Sequence, residues 1–425
     1  MQESFLHFLW RFQYFDKQDL RTKGNEPVQV LRTGSPHTHA GPDFCQARVL
    51  IANVEWAGNV EIHLRSSDWD AHAHQHNAAY DNVILHVVWQ DDRPIRRKDG
   101  TAIPTLELQN RTDTRLLSNY QALLHNQEVI PCASQFVQVS TLEKFSMLDK
   151  VLMQRLQQKA QLVESLWQAS RHDWEETTYQ LLAQNFGFKL NSEPFLRLSQ
   201  SVPLKLLHKH RDNLLQLEAM LFGQAGLLDA DNTEAYAVTL RREHTFLHHK
   251  YQLGSPLANH EWKFLRLRPA NFPTVRLAQL ARLIAGEPSL FTLLTQSESV
   301  KELSEKLQVQ QSAYWQEHYV WGKQANGKVP GLGKSAIENI IINSAVPLLT
   351  CYAQQYGNSG YLDRAVAWLE QLPPEHNHVT RTWQTLGLKV KTAFDSQASI
   401  ELYNHFCAPK QCLHCNVGVS LLKVK

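Results

Sequence analysis

Two carboxylates and one imidazole occur at a spacing that could bind a divalent cation. Asp43 follows a proline, and a hydrophobic run separates it from Glu61 and His63. Hydrophobic residues alternate with Glu61 and His63, which is the period of a β-strand, so both side chains would leave one face. Hard oxygen ligands suit Mg²⁺, and a bound metal can activate water against a phosphodiester. The sequence therefore predicts a catalytic group of Asp43, Glu61 and His63, with Mg²⁺ bound by the two carboxylates.

The same residues have a plainer interpretation, because short motif matches often arise by chance. They would then lie on the solvent-facing side of an ordinary β-hairpin. Glu3 is a secondary candidate for the site. It falls in an amphipathic helix predicted over residues 1–16 and could add a carboxylate from that helix.

A second group of candidate ligands lies between residues 68 and 86, where aspartates and histidines are frequent. If residues 69–79 form a helix, His72 and His76 lie one turn apart on one face, and His74 points away from them. Histidines at i and i+4 can bind a transition metal. A solvated helix face has the same pattern. The histidines could also line a groove beside Glu61 and contact phosphates.

Three cysteines near the C-terminus form a third group. Cys407, Cys412 and Cys415 have the spacing C-x4-C-x2-C, and Cys132 is a candidate fourth member. Four thiolates suit a zinc ion or an iron–sulphur cluster. Plain reduced thiols are the alternative.

The elements that would position these residues indicate an α+β protein. Residues 1–130 predict a helix, a hairpin over 45–64 with its turn at 57–59, the helix over 69–79, a buried strand over 82–89 and a strand over 103–108. That order is typical of an α/β domain. Helical spacing dominates residues 135–400, and residues 401–425 form a cysteine-containing tail. We therefore predict three parts with these bounds.

Composition indicates where the protein is located more clearly than what reaction it catalyses. The 425 residues have a formal charge of +2, so charge gives no general argument for nucleic acid binding. The start of the chain is unlike a signal peptide, and no run of about 20 apolar residues predicts a membrane span. With six cysteines expected to be reduced, we predict a cytoplasmic protein without a membrane partner. The sequence does not indicate protein partners.

Nucleic acid is the one partner that the sequence suggests. Basic and aromatic residues alternate between positions 241 and 276, and such a surface can follow a phosphate backbone and stack bases. An ordinary solvated helix face has the same composition.

Several short motifs resemble an uncharacterised bacterial family catalogued as domain of unknown function 2851. They are residues 5–10 (FLHFLW), 40–44 (AGPDF), 58–63 (GNVEIH), 67–69 (SDW), 80–83 (YDNV), 85–88 (LHVV), 130–132 (IPC) and 412–415 (CLHC). The resemblance extends along the whole chain. It implies a cytoplasmic bacterial protein and no particular activity.

The hairpin alone resembles the PD-(D/E)xK nucleases, with His63 where those enzymes have lysine. That resemblance implies a restriction-endonuclease-like fold for residues 1–130 and Mg²⁺-dependent cleavage of phosphodiester bonds. A neutral imidazole could assist the attacking water as a base. The alternative is a non-catalytic helical scaffold with a degenerate nuclease-like domain and a structural metal site. The nuclease hypothesis requires Asp43 and Glu61 to lie close enough to share one cation.

Overall fold

The chain folds into two compact units. A computed structural model describes residues 1–37 and 40–423. Unit 1 comprises Met1–Met147 and Tyr403–Lys425, and unit 2 comprises Leu148–Leu402. An N-terminal sheet followed by a helical region confirms the predicted α+β class. The sequence predicted three parts, with residues 401–425 as a separate tail. In the structure, the cysteine-containing stretch belongs to the same unit as the N-terminal part.

Unit 1 is organised around a six-stranded sheet. Its first elements in chain order are α1 (Glu3–Phe12), β1 (Val28–Arg32), β2 (Ser35–Pro36), β3 (Phe44–Ile51), β4 (Val54–Arg65), α2 (Asp68–Ala71), β5 (Val83–Gln90), β6 (Thr105–Glu107) and α3 (Thr114–His125). The strand order is β1-β3-β4-β5-β6, and β2 pairs with β3. The predicted hairpin and both later strands are therefore confirmed. The predicted turn at residues 57–59 is wrong, because these residues lie inside β4 and the chain reverses at residues 52–53.

The hairpin β3–β4 is antiparallel, whereas β4, β5 and β6 run parallel. Ala52 and Asn53 connect the hairpin with φ values of 49° and 67°. Positive φ at both central residues matches the twist of the flanking strands. Gly58 allows β4 to approach β5, because a Cβ there would lie 2.6 Å from the carbonyl oxygen of Asn82. These features fix the register that carries Glu61 and His63.

The segment after β4 differs from the prediction. Helix α2 ends at Ala71, and 3₁₀ turns follow at His74–His76 and Ala78–Tyr80. Ala73 lies between α2 and the first of these turns and has a left-handed φ of 56°. The His74 ring stacks on Tyr80 with ring centres 3.8 Å apart. The prediction of one helix over 69–79 is therefore wrong, because burial of His74 overrides a weak helical preference.

Unit 2 is almost entirely helical over its described residues. Its elements are α4 (Thr141–Ala169, which begins in unit 1), α5 (Trp174–Phe186), α6 (Phe188–Ser201), α7 (Leu204–His208), α8 (Leu214–Gln224), α9 (Ala235–Tyr251), α10 (Pro273–Gly286), α11 (Leu290–Gln296), α12 (Val300–Leu307), β7 (His318–Val320), β8 (Lys323–Gln324), α13 (Lys334–Ile340), α14 (Val346–Tyr356), α15 (Ser359–Gln371), α16 (His378–Thr385) and α17 (Ala393–Leu402). The predicted helical region is confirmed, and the small hairpin β7–β8 is an addition to it.

Two residues of the predicted basic and aromatic surface lie inside unit 2. Trp262 is 4% exposed, and its indole N–H donates to the carbonyl oxygen of Ala225. Arg276 is also 4% exposed and donates to Gln279 Oε1. These two side chains are therefore not available to a nucleic acid, which corrects that part of the prediction.

Among the described residues, Lys334–Tyr356 is long and apolar enough to cross a membrane. In the most apolar window of that helical stretch, 78% of the residues are buried. Such burial is also what a core helix shows.

The chain then returns to unit 1. A π-helical turn, Tyr403–Cys407, and a 3₁₀ turn, Cys412–His414, lead into α18 (Asn416–Leu422). Helix α18 packs on α3. Lys410 Nζ donates to the carbonyl oxygen of Asn126 at 3.0 Å. The last described residues are thereby fastened to the first part of unit 1.

Candidate metal centre

Two hydrogen bonds link Asp43 to Glu61 and to the residue that follows it. The backbone N–H of Asp43 donates to Glu61 Oε2 at 3.1 Å, and the backbone N–H of Ile62 donates to Asp43 Oδ2 at 3.0 Å. Asp43 immediately precedes β3, and Glu61 lies within β4. The pairing places two carboxylates side by side at the edge of the hairpin.

A bulge in β3 lies next to this pair. The register of β3 against β4 shifts between Phe44 and Ala47, and Gln46 has a left-handed φ of 58°. Bulges bend a strand and change the direction of nearby side chains. Here the bend follows directly after Asp43.

Three imidazoles form the group with metal-ligand spacing. Ring nitrogens of His63, His72 and His74 lie within 4.8 Å of one another. His63 Nε2 is 3.2 Å from His72 Nδ1. On the other side of the same ring, His63 Nδ1 is 2.8 Å from His86 Nε2 on β5. Three imidazole nitrogens at this separation are a donor set suited to one transition metal.

The imidazoles and the carboxylates form one continuous site. Glu61 Oε1 lies 3.3 Å from His74 Nε2 and 3.5 Å from His63 Nε2. His74 Nε2 is buried and has no well-aligned hydrogen bond despite this short distance. The orientation of the His74 ring is therefore better explained if His74 Nε2 and Glu61 Oε1 both face one bound ligand than by a hydrogen bond between them.

Helix α1 supplies two further groups. His7 Nε2 lies 3.3 Å from Asp43 Oδ2. Glu3 lies one turn before His7, and its pKa is raised by burial and by the charge of Asp43. Burial lowers the pKa of His7, but the adjacent Asp43 carboxylate outweighs that effect and the net change is upward. The helix thus places an acid and a base against the carboxylate pair.

Burial determines the protonation of the inner residues. It raises the pKa of Glu61 to about 9, with a further increase from the charge of Asp43. It lowers the pKa of His63 to about 4, with further decreases from His74 and His72. Burial also lowers the pKa of His74, and that of His86 well below its ordinary value. The imidazoles of His63, His74 and His86 are therefore neutral, which is the form that binds metals.

A cavity of about 170 Å³ lies beside the outer part of the site. Asp43 and His7 line it, together with Arg11 one turn further along α1. Leu413 and His414, from the C-terminal stretch of unit 1, complete another side. The cavity therefore places the Asp43 carboxylate and the Arg11 guanidinium group along one surface.

The structure brings together most of the residues chosen from sequence. Asp43, Glu61, His63 and His72 meet, and Glu3 lies beside them. His76 is exposed and lies outside the group of three imidazoles, so the pairing of His72 with His76 is wrong. The left-handed Ala73 explains this, because it ends the helical register and turns His74 inward.

Three functional candidates were missed. His74 was predicted to point away, His86 was included only as a member of the histidine-rich segment, and His7 was not selected. His7 follows Glu3 by four residues on an amphipathic helix, and that spacing places both on one face. His86 interrupts the otherwise apolar run of β5. A buried polar residue needs a partner, so this position was a usable signal.

The four predicted thiol residues lie in the same unit, one in the segment after α3 and three in the turns before α18. Cys132, Cys407, Cys412 and Cys415 are each buried, and none is in a disulfide.

The chain belongs to the family described as protein of unknown function, DUF2851, whose profile matches residues 3–378. The match covers the whole imidazole and carboxylate site and Cys132, and it ends before the three later cysteines. No curated protein and no solved structure matches the chain.

Proposed function

We propose that this member of the family is a metal-dependent nuclease that hydrolyses phosphodiester bonds. A divalent cation would be held by His63, His72 and His74, with Glu61 as the carboxylate ligand. One observation carries the proposal: Glu61 and His63 leave the same face of β4 and meet Asp43 and two more imidazoles in one group. Glu61, His63 and His74 are buried, whereas His72 is exposed. Such a group is typical of a catalytic site rather than of a packed core.

The donor types favour a transition metal. Imidazole suits zinc or iron better than magnesium, whereas carboxylate oxygens suit Mg²⁺ and Mn²⁺. A Mg²⁺ ion at Asp43 and Glu61 remains a prediction for the outer part of the same site. When bound, the metal lowers the pKa of a water ligand and stabilises charge on the phosphoryl group.

The protein would orient the inner ligands through a buried contact. His63 Nδ1 lies 2.8 Å from His86 Nε2, so an N–H on His63 can donate to His86. That bond leaves His63 Nε2 without a proton and directed towards His72 and Glu61. A second hydrogen bond of this kind commonly fixes the tautomer of a metal ligand.

Asp43 and His7 are suited to proton transfer at the outer part. The Asp43 side chain is 24% exposed, so water can reach it. The imidazole of His7 has a raised pKa and lies beside that carboxylate. A carboxylate can accept a proton from water, and an imidazolium can donate one to a leaving oxygen.

The choice of a phosphodiester rests on the hairpin pattern and on Arg11. An acid before β3, the Glu-x-His pair on β4 and an acid on the preceding helix resemble the arrangement of the PD-(D/E)xK nucleases. Arg11 lines the same cavity as Asp43, and a guanidinium binds phosphate oxygens well. This supports a phosphorylated substrate over a neutral one.

The experiment is a cleavage assay on the full-length protein after chelation and addition of one metal at a time. Labelled single- and double-stranded DNA and RNA are the substrates, and Mg²⁺, Mn²⁺ and Zn²⁺ are the metals. Glu61→Gln and His72→Ala should each lose metal-dependent cleavage by more than about 100-fold, since even outer partners of a metal site typically contribute 10–100-fold.

Two matched variants control for indirect effects. Glu55→Gln changes an exposed acid on the same strand, which pairs with Arg48. His76→Ala removes the exposed imidazole next to the site. Both should retain activity. Absence of cleavage with every metal and substrate, or equal cleavage by Glu61→Gln, would contradict the proposal and favour the scaffold alternative.

A further inference from the structure

Four cysteines from two distant stretches of sequence meet in unit 1. Cys132 lies between α3 and α4, and the other three surround the turns before α18. Their residues are between 7% and 8% exposed. Cys45 and Cys351, the remaining cysteines, belong to β3 and α14 and lie outside the group.

The local backbone explains how the three later thiols converge. In a 3₁₀ turn, side chains at i and i+3 leave on the same side. Cys412 begins such a turn, and the N–H of Cys415 points back to the carbonyl oxygen of Cys412 at 3.4 Å. Lys410 has a left-handed φ of 55°, and its N–H donates to the carbonyl oxygen of Cys407. This reversal returns the chain towards Cys407.

Hydrogen bonds bring the segment of Cys132 to the stretch that holds the other three cysteines. Lys410, between Cys407 and Cys412, donates from Nζ to the carbonyl oxygen of Asn126, and Asn126 Nδ2 donates to the carbonyl oxygen of Pro131, next to Cys132. Two stretches that meet in this way can supply the four ligands of one tetrahedral metal.

Close packing alone gives a weaker explanation of this group. Burial raises the pKa of Cys132 to about 12 and that of Cys412 to about 11, so these two thiols are protonated without a metal. Protonated thiols behave as small apolar groups, and any small apolar residues would pack as well. Packing does not require four cysteines at one place when the chain has only six.

We propose that Cys132, Cys407, Cys412 and Cys415 bind a thiolate-coordinated metal, either one zinc ion or an iron–sulphur cluster. Soft thiolates select these metals over magnesium or calcium. This site is separate from the proposed catalytic centre and does not depend on it. Its role is to fasten the C-terminal stretch of unit 1 to the segment that follows α3.

The consequence for the rest of unit 1 is direct. Leu413 and His414 lie within the 3₁₀ turn that begins at Cys412, and both line the cavity next to Asp43 and His7. Gly418 lets α18 pack against that turn, since a Cβ would lie 2.3 Å from the carbonyl oxygen of Cys412. Releasing the thiols would therefore free one wall of the cavity.

Metal analysis and X-ray absorption on the full-length protein test the proposal. The protein is expressed with added zinc and iron and purified without chelators. The expected result is a stoichiometric metal with sulphur ligands. Colourless protein with zinc indicates the single ion, whereas brown protein with iron and inorganic sulphide indicates the cluster. Sulphur ligation distinguishes this metal from one bound by imidazoles.

Variants assign the ligands. Cys132→Ser and Cys412→Ser should lose the sulphur-bound metal, whereas Cys45→Ser, Cys351→Ser and His72→Ala should retain it. If the first two variants do not fold, the wild type is titrated with a mercurial reagent instead. Release of the metal in proportion to four blocked thiols supports the proposal. Folded wild type with neither zinc nor iron on sulphur overturns it.

Discussion

Replacing the carboxyl group of Glu218 by an amide should stabilise unit 2 above neutral pH. Glu218 lies on α8 and is fully buried, and Tyr236 O–H donates to its Oε2 at 2.8 Å. Burial raises the pKa of Glu218 to about 7, although Ser312, Tyr236 and Trp315 act in the opposite direction. Glutamine has nearly the same shape and does not ionise.

The sign follows from proton binding. The pKa of Glu218 is about 7 in the folded protein and 4.5 ordinarily, so the folded state binds more protons between these values. The contribution of Glu218 to stability is fully present below pH 4.5 and is lost as pH rises through about 7. The difference between the two pKa values corresponds to roughly 3 kcal/mol. The Glu218→Gln variant does not lose stability in this way, because glutamine does not ionise.

The assay is urea denaturation of wild type and Glu218→Gln at several pH values. Hydrogen exchange of α8 peptides follows unit 2 separately from unit 1. The stability of the variant relative to wild type should rise by roughly 3 kcal/mol between acidic and mildly alkaline pH. Tyr236→Phe should extend the decline of stability to higher pH, because it removes a donor that lowers the pKa of the Glu218 carboxyl group. A relative stability that does not change with pH would refute the reasoning.

Three substitutions in unit 1 test the support of the candidate metal centre. Gly58→Ala should destabilise unit 1 by about 1–3 kcal/mol in thermal denaturation, because the added Cβ collides with Asn82, and an unchanged midpoint would contradict the close approach of β4 and β5. Trp69→Ala should cost about 3–5 kcal/mol, since the indole is 1% exposed and packs against His74; a loss under 1 kcal/mol by the same measurement would show that the packing matters little. His86→Ala should weaken metal binding by about 10–100-fold in calorimetric titration, and unaltered affinity would remove His86 from its orienting role.

The hairpin was predictable because its physical signals are local. Alternation around Glu61 and His63 reports which side chains share a face, and this needs no knowledge of distant residues. The near-continuous apolar run of β5 likewise indicates a strand buried on both faces. The pairing of β3 with β4 then determines the position of Asp43 next to Glu61.

The loop between β4 and β5 was not predictable in the same way. Ala73 adopts a left-handed φ of 56°, which costs an alanine about 1 kcal/mol or more. No glycine or proline marks the break. The compensation comes from tertiary contacts of His74 with Tyr80 and Trp69, residues that a helical pattern does not bring together. His7 and His86 were missed for a related reason, since their role depends on partners across the sheet.

The division of unit 1 into Met1–Met147 and Tyr403–Lys425 has a consequence for biosynthesis. The ribosome must translate Leu148–Leu402, which is 255 residues (402 − 147), before the final stretch of unit 1 emerges. At typical synthesis rates of about 5–20 residues per second, that interval lasts roughly 10–50 s. Until then, the surface of α3 that receives α18 has no partner from the nascent chain. Unit 2 can thus fold first although it lies second in the sequence, and a nascent-chain chaperone would have its longest opportunity to bind at α3.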